Sequence, residues 1–274
     1  MSQHTLCAVM GNPIAHSLSP AIHELFAKQT NKNLTYVKIC ADSATFEQEV
    51  TEFFAKGGLG LNITQPFKTR AYQLSDCPTP RCQEAQAANT LWCKDHKIYA
   101  DNTDGIGLVR DLRRIMPLAH KRILIVGAGG AALGIIPALY QAQVQHIEVH
   151  NRSAARLQAL LAQFPQVNIK PVDPITSKVD LIINATSSQN TAFTSLNQAF
   201  KDKPPCYDLS YDLHHPTYFV QHAKAQRCVA YDGLGMLIEQ AAESFWRWHG
   251  VKPDTTAMSH QLRLKKSLHL IAGR

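Results

Sequence analysis

An apolar run, Ile123 to Val126, leads straight into a turn of small residues, so that the stretch from Arg122 to Ala132 reads RILIVGAGGAA. This junction constrains the fold more than any other feature. A short apolar run bounded by glycine is a buried parallel strand, and the small residues after it open a helix. Gly127 permits the tight turn, Gly129 lets the backbone approach an anion, and Ala132 takes the position where the helix packs closely on its strand. Free amides and the positive end of the helix dipole then face a diphosphate. A second strand, His146 to His150, follows at the βαβ distance.

The same window has a second reading, because Ile123 to Tyr140 is a continuous uncharged stretch behind Lys121 and Arg122, and hydropathy alone would allow a membrane span. The glycines at its start and Pro137 near its end argue against that. The N-terminus, Met-Ser-Gln-His-Thr, lacks the charged-then-apolar order of a signal peptide. The expectation is a cytoplasmic protein with no membrane partner. Seven scattered cysteines, with no CxxC pair, argue against a disulfide framework or a metal site. The net charge of +7 is dispersed, without the basic stripe and interleaved aromatics of a nucleic-acid binder. An anionic small molecule suits the same balance.

A dinucleotide fold that begins near residue 121 leaves a long segment in front that needs a role of its own. Its pattern is α/β: a strand at Leu6 to Gly11, a helix at Ser19 to Gln29, a strand at Leu34 to Cys40, a helix at Ser43 to Ala55 and a strand at Gly60 to Ile63. A helix at Thr103 to Arg114 crosses into the nucleotide part. That part continues with a helix at Ser153 to Phe164, strands at Leu181 to Asn184 and Cys206 to Asp208, and a helix at Thr217 to Ala225. A last helix, Gly235 to His249, carries an apolar face of Met236, Leu237, Ala241, Phe245 and Trp248. The pattern predicts two α/β domains: residues 1–102, completed by C-terminal helices in 237–274, and a Rossmann-type domain over 103–236. The linkers are short, so the domains are expected to meet across a cleft.

The end of the second nucleotide strand selects the cofactor, since an acid there binds the free 2′-hydroxyl of NAD and arginines accept the 2′-phosphate of NADP. Here it reads Val149-His150-Asn151-Arg152-Ser153, with Arg156 one helical turn beyond Arg152 and Glu148 inside the strand. Both guanidiniums can reach one phosphate, which predicts NADP. Three further loops hold polar residues that a packing domain does not need: Asn12 to Pro20, Asn62 to Lys68 and Asn102 to Gly105. Each has an ordinary explanation taken singly, as a helix cap at Ser19, a strand end at Asn62 and Thr64, or a turn or cap at Asp104. Together, beyond the carboxyl ends of strands, they suggest a site for a small polyhydroxylated acid.

With these motifs the chain resembles the shikimate dehydrogenase family. The resemblance is carried by GNPIAHSLSP at 11–20, NITQPFK at 62–68, AANT at 87–90, DNTDGIG at 101–107, GAGGAA at 127–132, NRSAAR at 151–156, INATSS at 183–188, YDLSY at 207–211 and DGLGMLIEQA at 232–241. It implies reduction of 3-dehydroshikimate to shikimate with NADPH, on the chorismate route to aromatic amino acids. By similarity Ser17, Ser19 and Tyr211 hold the substrate carboxylate, while Thr64, Asn89, Asp104 and Gln240 bind the ring hydroxyls. Lys68 and Asp104 match the catalytic pair. Gly127, Ala128, Gly129, Gly130 and Ala131 surround the diphosphate, Asn151, Arg152, Ser153 and Arg156 take the adenosine phosphate side, and Asn184, Ala185, Thr186, Ser187, Leu209 and Gly233 line the rest. Met236 matches a position beside the nicotinamide, although a methionine there also reads as core.

The chemistry fits the residue types. Hydroxyls satisfy a carboxylate, and amides both donate to and accept from a triol. Ketone reduction leaves an alkoxide that needs a proton donor close by. Lys68 is expected to be that acid/base, with Asp104 orienting it; the neighbouring carboxylate favours its charged form and burial opposes it. Ser153 stands where relatives often carry threonine, and Asp212 to Pro216 departs from the usual loop. His16 reads as ordering its loop rather than as an acid/base. The alternatives are a sister activity on quinate or shikimate with NAD, which the missing strand-end acid disfavours, and a silent NADP-binding module, which would have no use for Lys68 and Asp104. The sequence leaves the oligomeric state open, a homodimer included.

Overall fold

The computed structural model describes residues 4–175, 178–186 and 193–262. It forms two compact units, Met1–Gly107 together with Ile238–Arg274, and Leu108–Leu237. The breaks fall inside two helices, so the chain passes from one unit to the other as helix rather than as loop.

The first unit contains β1 (Thr5–Gly11), α1 (Ser19–Gln29), β2 (Leu34–Cys40), α2 (Phe46–Ala55), β3 (Gly60–Ile63), α3 (Lys68–Leu74), β4 (Cys77–Pro78), α4 (Pro80–Ala85), β5 (Thr90–Lys94), β6 (Lys97–Asp101) and the start of α5 (Asp104–Ile115). Its sheet has the order β2-β1-β3-β5-β6-β4. The pairs β1–β2, β1–β3 and β4–β6 are parallel, whereas β5 runs antiparallel to both β3 and β6. Residues Asp95 and His96, with φ of 51° and 59°, close the β5–β6 hairpin, the conformation that a two-residue type I′ turn demands. Helix α2 starts three residues later than the sequence pattern predicts. Asp42 accepts the Ala44 amide at 2.7 Å, which holds the intervening residues as a turn. One core gathers Met10, Phe46, Val50, Leu61, Ile63, Phe67 and Leu91, and a smaller one includes Cys7, Val9, Tyr36 and Trp248.

The second unit contains β7 (Arg122–Val126), α6 (Gly130–Gln141), β8 (His146–His150), α7 (Ala154–Gln163), β9 (Ile169–Pro171), β10 (Leu181–Asn184), β11 (Cys206–Asp208), α8 (Tyr218–Ala225), β12 (Ala230–Tyr231) and the first turn of α9 (Leu234–His249). The sheet order is β12-β11-β10-β7-β8-β9, parallel throughout. Counted from β7, that is the doubly wound order 3-2-1-4-5-6 with its reversal beside the first strand. Ile123, Ile125, Ile135, Ile136, Ile147, Val149 and Ile183 fill one side of the sheet; Leu124, Ile182, Phe193, Phe200 and Phe219 fill the other. Both faces are therefore apolar, as a parallel sheet covered by helices requires. The uncharged stretch from Ile123 is thus split between a strand and a twelve-residue helix. Among the described residues no helix is long and apolar enough to cross a membrane.

Candidate active site

In the first unit the polar loops converge. Lys68 is the first residue of α3 and Asp104 the first of α5. Lys68 Nζ donates to Asp104 Oδ2 at 2.6 Å. The lysine side chain keeps 25% of its surface accessible and the aspartate 9%, so the ammonium end of the pair is the more reachable. The other carboxylate oxygen, Oδ1, accepts from Asn89 Nδ2 at 2.8 Å. Asn89 Nδ2 also lies 2.9 Å from Thr103 Oγ1 and 3.1 Å from Gln240 Oε1, and Asn89 Oδ1 accepts the Thr103 amide at 2.8 Å. Four of the expected residues, Lys68, Asn89, Asp104 and Gln240, thus form one connected set drawn from α3, the β5 entrance, α5 and α9.

The local backbone explains the convergence. The carbonyl of Lys68 accepts the Ala88 amide at 2.8 Å, tying the start of α3 to the segment before Asn89. Asn102 Nδ2 donates to Ala87 O at 2.9 Å, while its Oδ1 accepts the Asp104 amide at 3.1 Å. Asp104 is therefore capped by Asn102 rather than acting as a cap, leaving its carboxylate for Lys68 and Asn89. Asn62, expected to end a strand, instead sits inside β3 with its amide buried. Its Nδ2 donates to Asn89 O, Thr90 Oγ1 and Ser244 Oγ, and its Oδ1 accepts from Tyr36 OH at 2.7 Å. Burial pushes the Tyr36 hydroxyl well above its usual range, so it remains a donor.

Ser17 and Ser19 are adjacent, with 3.2 Å between their Oγ atoms. The helix-cap explanation for Ser19 fails: the N-cap position is Leu18, Ser19 is already helical, and no side-chain cap bond forms. Ser17 Oγ instead accepts the Ser19 amide at 3.3 Å, and the Ser19 hydroxyl has no capping role. Thr64 follows β3, with its amide on Met10 O at 3.0 Å. His16 is exposed in the same loop as Ser17, and Lys38 Nζ steadies that loop through Ala15 O at 2.5 Å. Tyr211 belongs to the second unit, half-buried in the segment after β11. Sequence reasoning left Thr90, Ser244 and Tyr36 unassigned. Their signal was weak, since single hydroxyls within otherwise apolar elements are common.

In the second unit the glycine turn has the shape that an anion needs. Gly127 has φ of +110°, and a Cβ there would lie 3.0 Å from Thr186 and 3.1 Å from Ala185. Only glycine suits both demands. A Cβ on Gly129 or Gly130 would meet nothing within 4 Å, which leaves open space above the N-terminus of α6. The expectation of wholly free amides needs correction. Gly127 N donates to His150 O at 2.8 Å, and Ala128 N to Asn151 Oδ1 at 3.2 Å. The amides left for a diphosphate are those of the first helical turn, including Gly130 and Ala131, which no helix can satisfy internally. These residues fit a dinucleotide phosphate.

The surrounding loops are tied to that turn. Asn151 bonds back through Nδ2 to Ser153 O at 2.8 Å, and Ser153 Oγ caps α7 by accepting the Arg156 amide. Arg152 and Arg156 are exposed beside it. Asn184 Nδ2 donates to Asp208 Oδ1 at 3.0 Å and its Oδ1 accepts from Thr186 Oγ1 at 2.7 Å. Burial pushes the Asp208 carboxyl above its usual range, against bonds from Thr217, the Ser210 amide and Asn184 that favour the charged form. Ala185 donates its amide to Val126 O at 2.8 Å. Gly233 packs so closely that a Cβ would sit 2.3 Å from Leu209 O. Met236 is half-buried against the core of the second unit, its amide on Tyr207 OH at 3.2 Å. Ser187 and residues 263–274 lie outside the described residues.

The chain is similar to known proteins in sequence and in fold. The chain matches the family models described as the shikimate dehydrogenase substrate binding domain over residues 9–91, shikimate / quinate 5-dehydrogenase over 111–217, and the shikimate 5'-dehydrogenase C-terminal domain over 233–263. A shikimate dehydrogenase (NADP(+)) of Legionella pneumophila strain Lens is 49% identical over 258 residues, covering 93% of this chain and 97% of that protein. The crystal structure of shikimate dehydrogenase from Aquifex aeolicus aligns with a TM-score of 0.86 at 28% identity, over 95% of this chain and 98% of that one. The shikimate 5-dehydrogenase of Thermus thermophilus, in complex with NADP(H) and shikimate, aligns with a TM-score of 0.81 at 28% identity, over 93% of this chain and 97% of that one.

Proposed function

The chain belongs to the shikimate dehydrogenase family, and we propose that it interconverts 3-dehydroshikimate and shikimate with NADP(H). The observation that carries this reading is the Lys68–Asp104 pair: an ammonium 2.6 Å from a carboxylate whose second oxygen is already taken by Asn89. Such a lysine is held by a bond yet keeps a quarter of its side-chain surface accessible.

Ser17 and Ser19 take the substrate carboxylate, joined by Tyr211, and Thr64, Asn89 and Gln240 hold the ring hydroxyls. NADPH, when bound, supplies the hydride. The ketone oxygen then gains negative charge, and the Lys68 ammonium delivers a proton to it; in the oxidative direction the amine takes the proton back. Asp104 accepts from a substrate hydroxyl and keeps Lys68 aimed. Substrate binding falls to the unit of Met1–Gly107 with Ile238–Arg274, which holds Asp104 and Gln240, and cofactor binding to Leu108–Leu237. Gly127 to Ala131 cradle the diphosphate, Asn151, Arg152, Ser153 and Arg156 the 2′-phosphorylated ribose, and Asn184 to Thr186, Leu209, Gly233 and Met236 the remainder. A reductive direction places the enzyme in aromatic amino acid biosynthesis, by way of chorismate.

The test is the absorbance of the reduced coenzyme formed by the purified chain, NADPH or NADH, with shikimate or quinate as reductant and NADP⁺ or NAD⁺ as acceptor. Shikimate with NADP⁺ is expected to give the highest kcat/KM. No NADPH from that combination overturns the assignment, and a preference for quinate with NAD⁺ replaces it by the sister activity.

A further inference from the structure

Beneath the segment that presents Asp104 lies a cluster of four charged side chains to which the reading above gives no role. Asp101, the last residue of β6, is fully buried. Its Oδ1 accepts from Thr79 Oγ1 at 2.7 Å, from Arg81 Nε at 2.6 Å and from the Asn102 amide at 2.8 Å. Its Oδ2 accepts from Arg81 Nη2 at 2.5 Å, and Arg247 Nε stands 3.0 Å away in an ion pair. Arg81 Nη2 also donates to Glu243 at 2.9 Å, a carboxylate 5% exposed. Burial opposes the charge on Asp101, but the Arg81 bonds and its other partners win, and the carboxyl lies below its usual range.

A fold that needed only stability here would do as well with apolar residues, since desolvating buried charges costs about what their attraction returns. What the cluster adds is direction. The Arg81 fork grips both oxygens of Asp101, which fixes the plane of that carboxylate. The same carboxylate holds the amide of Asn102, and Asn102 caps Asp104. At the other end Glu243 sits one helical turn from Gln240, and Arg247 one turn further along α9. The two ends of the cluster therefore belong to the two elements that must keep register for Asn89 to meet both Asp104 and Gln240.

We propose that Arg81 and Asp101, locked through Glu243 and Arg247, are positioning residues that set the Asn102–Thr103–Asp104 segment against α9 and so aim Lys68. The inference rests on the shikimate dehydrogenase reading for its kinetic consequence, but not for its structural one. A misplacement of about 1 Å at a reacting group costs on the order of 10²-fold in rate.

The test uses Asp101→Asn, Arg81→Lys and Glu243→Gln in the full chain, with two readouts. Asp101→Asn is expected to lower kcat for shikimate oxidation by about 10–100-fold while the KM for NADP⁺ stays within about twofold. Arg81→Lys, which keeps charge without the fork, should fall between it and wild type. Independently of substrate, acetylation of the Lys68 amine at fixed pH, followed by mass spectrometry, should be several-fold faster in Asp101→Asn because the Lys68–Asp104 bond is loosened. Wild-type kcat and labelling in a folded Asp101→Asn overturn the proposal, as does a KM for NADP⁺ that worsens in step with kcat. If Asp101→Asn does not fold, Glu243→Gln decides on the same two readouts. An inactive wild type removes the enzyme reading alone, and the labelling rates still judge the cluster.

Discussion

The two units solve their binding problems by opposite means. In the first, side chains make the site: Lys68, Asn89, Asp104, Thr103 and Gln240 are bonded to one another, and a bound ring would trade some of those contacts for its own. In the second, the backbone makes it: a positive φ at Gly127 and open space over Gly129 and Gly130, with Asn151 and Asn184 stitching the loops in place. The first therefore depends on which atoms are present, and the second on which atoms are missing. Substitutions should follow that division, with removed side chains striking chemistry in one unit and added ones striking binding in the other.

The largest effect belongs to the side-chain site. Lys68→Ala removes the proposed proton donor and leaves Asp104, 9% exposed, without its cation. Positioned proton transfer is worth about 10²–10⁴ in rate, so kcat should fall by that order while the KM for NADP⁺ stays close to wild type. Steady-state kinetics with each substrate varied separately measures this. If kcat survives within a few-fold, the first unit binds without doing chemistry, and the contrast between the units dissolves.

Acid should separate the units next. Burial pushes the His23 ring from 6.5 down to about 3, helped by the charge of His249, and burial likewise takes His249 to about 4. His23 is stacked between Tyr36 and Trp248, at centroid distances of 4.4 and 5.3 Å. A folded pKa below the unfolded one means that the neutral ring favours the fold. That contribution is complete above about pH 6.5 and is lost as pH falls toward 3–4, by up to about 1.4 kcal/mol per pH unit for each ring. Both rings belong to the first unit, as do Trp92, Trp246 and Trp248, the three tryptophans of the chain. Urea midpoints from tryptophan fluorescence should therefore drop steeply between pH 6.5 and 4. A midpoint flat over that range would mean that the rings are accessible to protons.

The backbone-made site gives the third test. Gly127→Ala must take φ of +110° and place its Cβ about 3 Å from Ala185 and Thr186. Strain of this kind costs about 1–3 kcal/mol, which should appear as a lower thermal midpoint and a higher KM for NADP⁺. Gly129→Ala, with nothing within 4 Å, should keep the thermal midpoint. Equal destabilisation by the two substitutions would show that the turn rejects side chains throughout, and no destabilisation by either that Gly127 is not held to glycine.

What the sequence made legible follows the same division. Strand-to-glycine junctions are local, so β7, α6 and β8 could be read directly, and the alternation of strands with helices gave the parallel sheet. The β5–β6 hairpin was not legible, because Asp95-His96 is a poor advertisement for a type I′ turn beside the usual Asn-Gly or Asp-Gly. In the site, Lys68, Asn89, Asp104 and Gln240 came from motif resemblance, and only the structure bonds them. Tyr36, Thr90 and Ser244 were missed for a physical reason. The bonds that bring them together join Tyr36 to Asn62 across 26 residues, Thr90 to Ser244 across 154 and Asn62 to Ser244 across 182, and no local pattern encodes a bond across such distances. Arg81 and Glu243 fall in none of the motifs, and only the structure joins them to Asp101.

The smallest effect tests cofactor choice, where the second unit does rely on side chains. Arg152 and Arg156 are exposed, so in the proposed role each guanidinium would meet a phosphate in competition with water and salt. Replacing either with alanine should raise the KM for NADP⁺ about tenfold, equivalent to about 1.4 kcal/mol, and leave the KM for NAD⁺ unchanged. Arg156→Ala isolates the charge well, because what Ser153 caps is the backbone amide of residue 156, which alanine retains. Lowering ionic strength should widen the gap between wild type and variant. If both coenzymes weaken together, the arginines support the fold of this edge rather than the 2′-phosphate, and selectivity must come from the backbone alone.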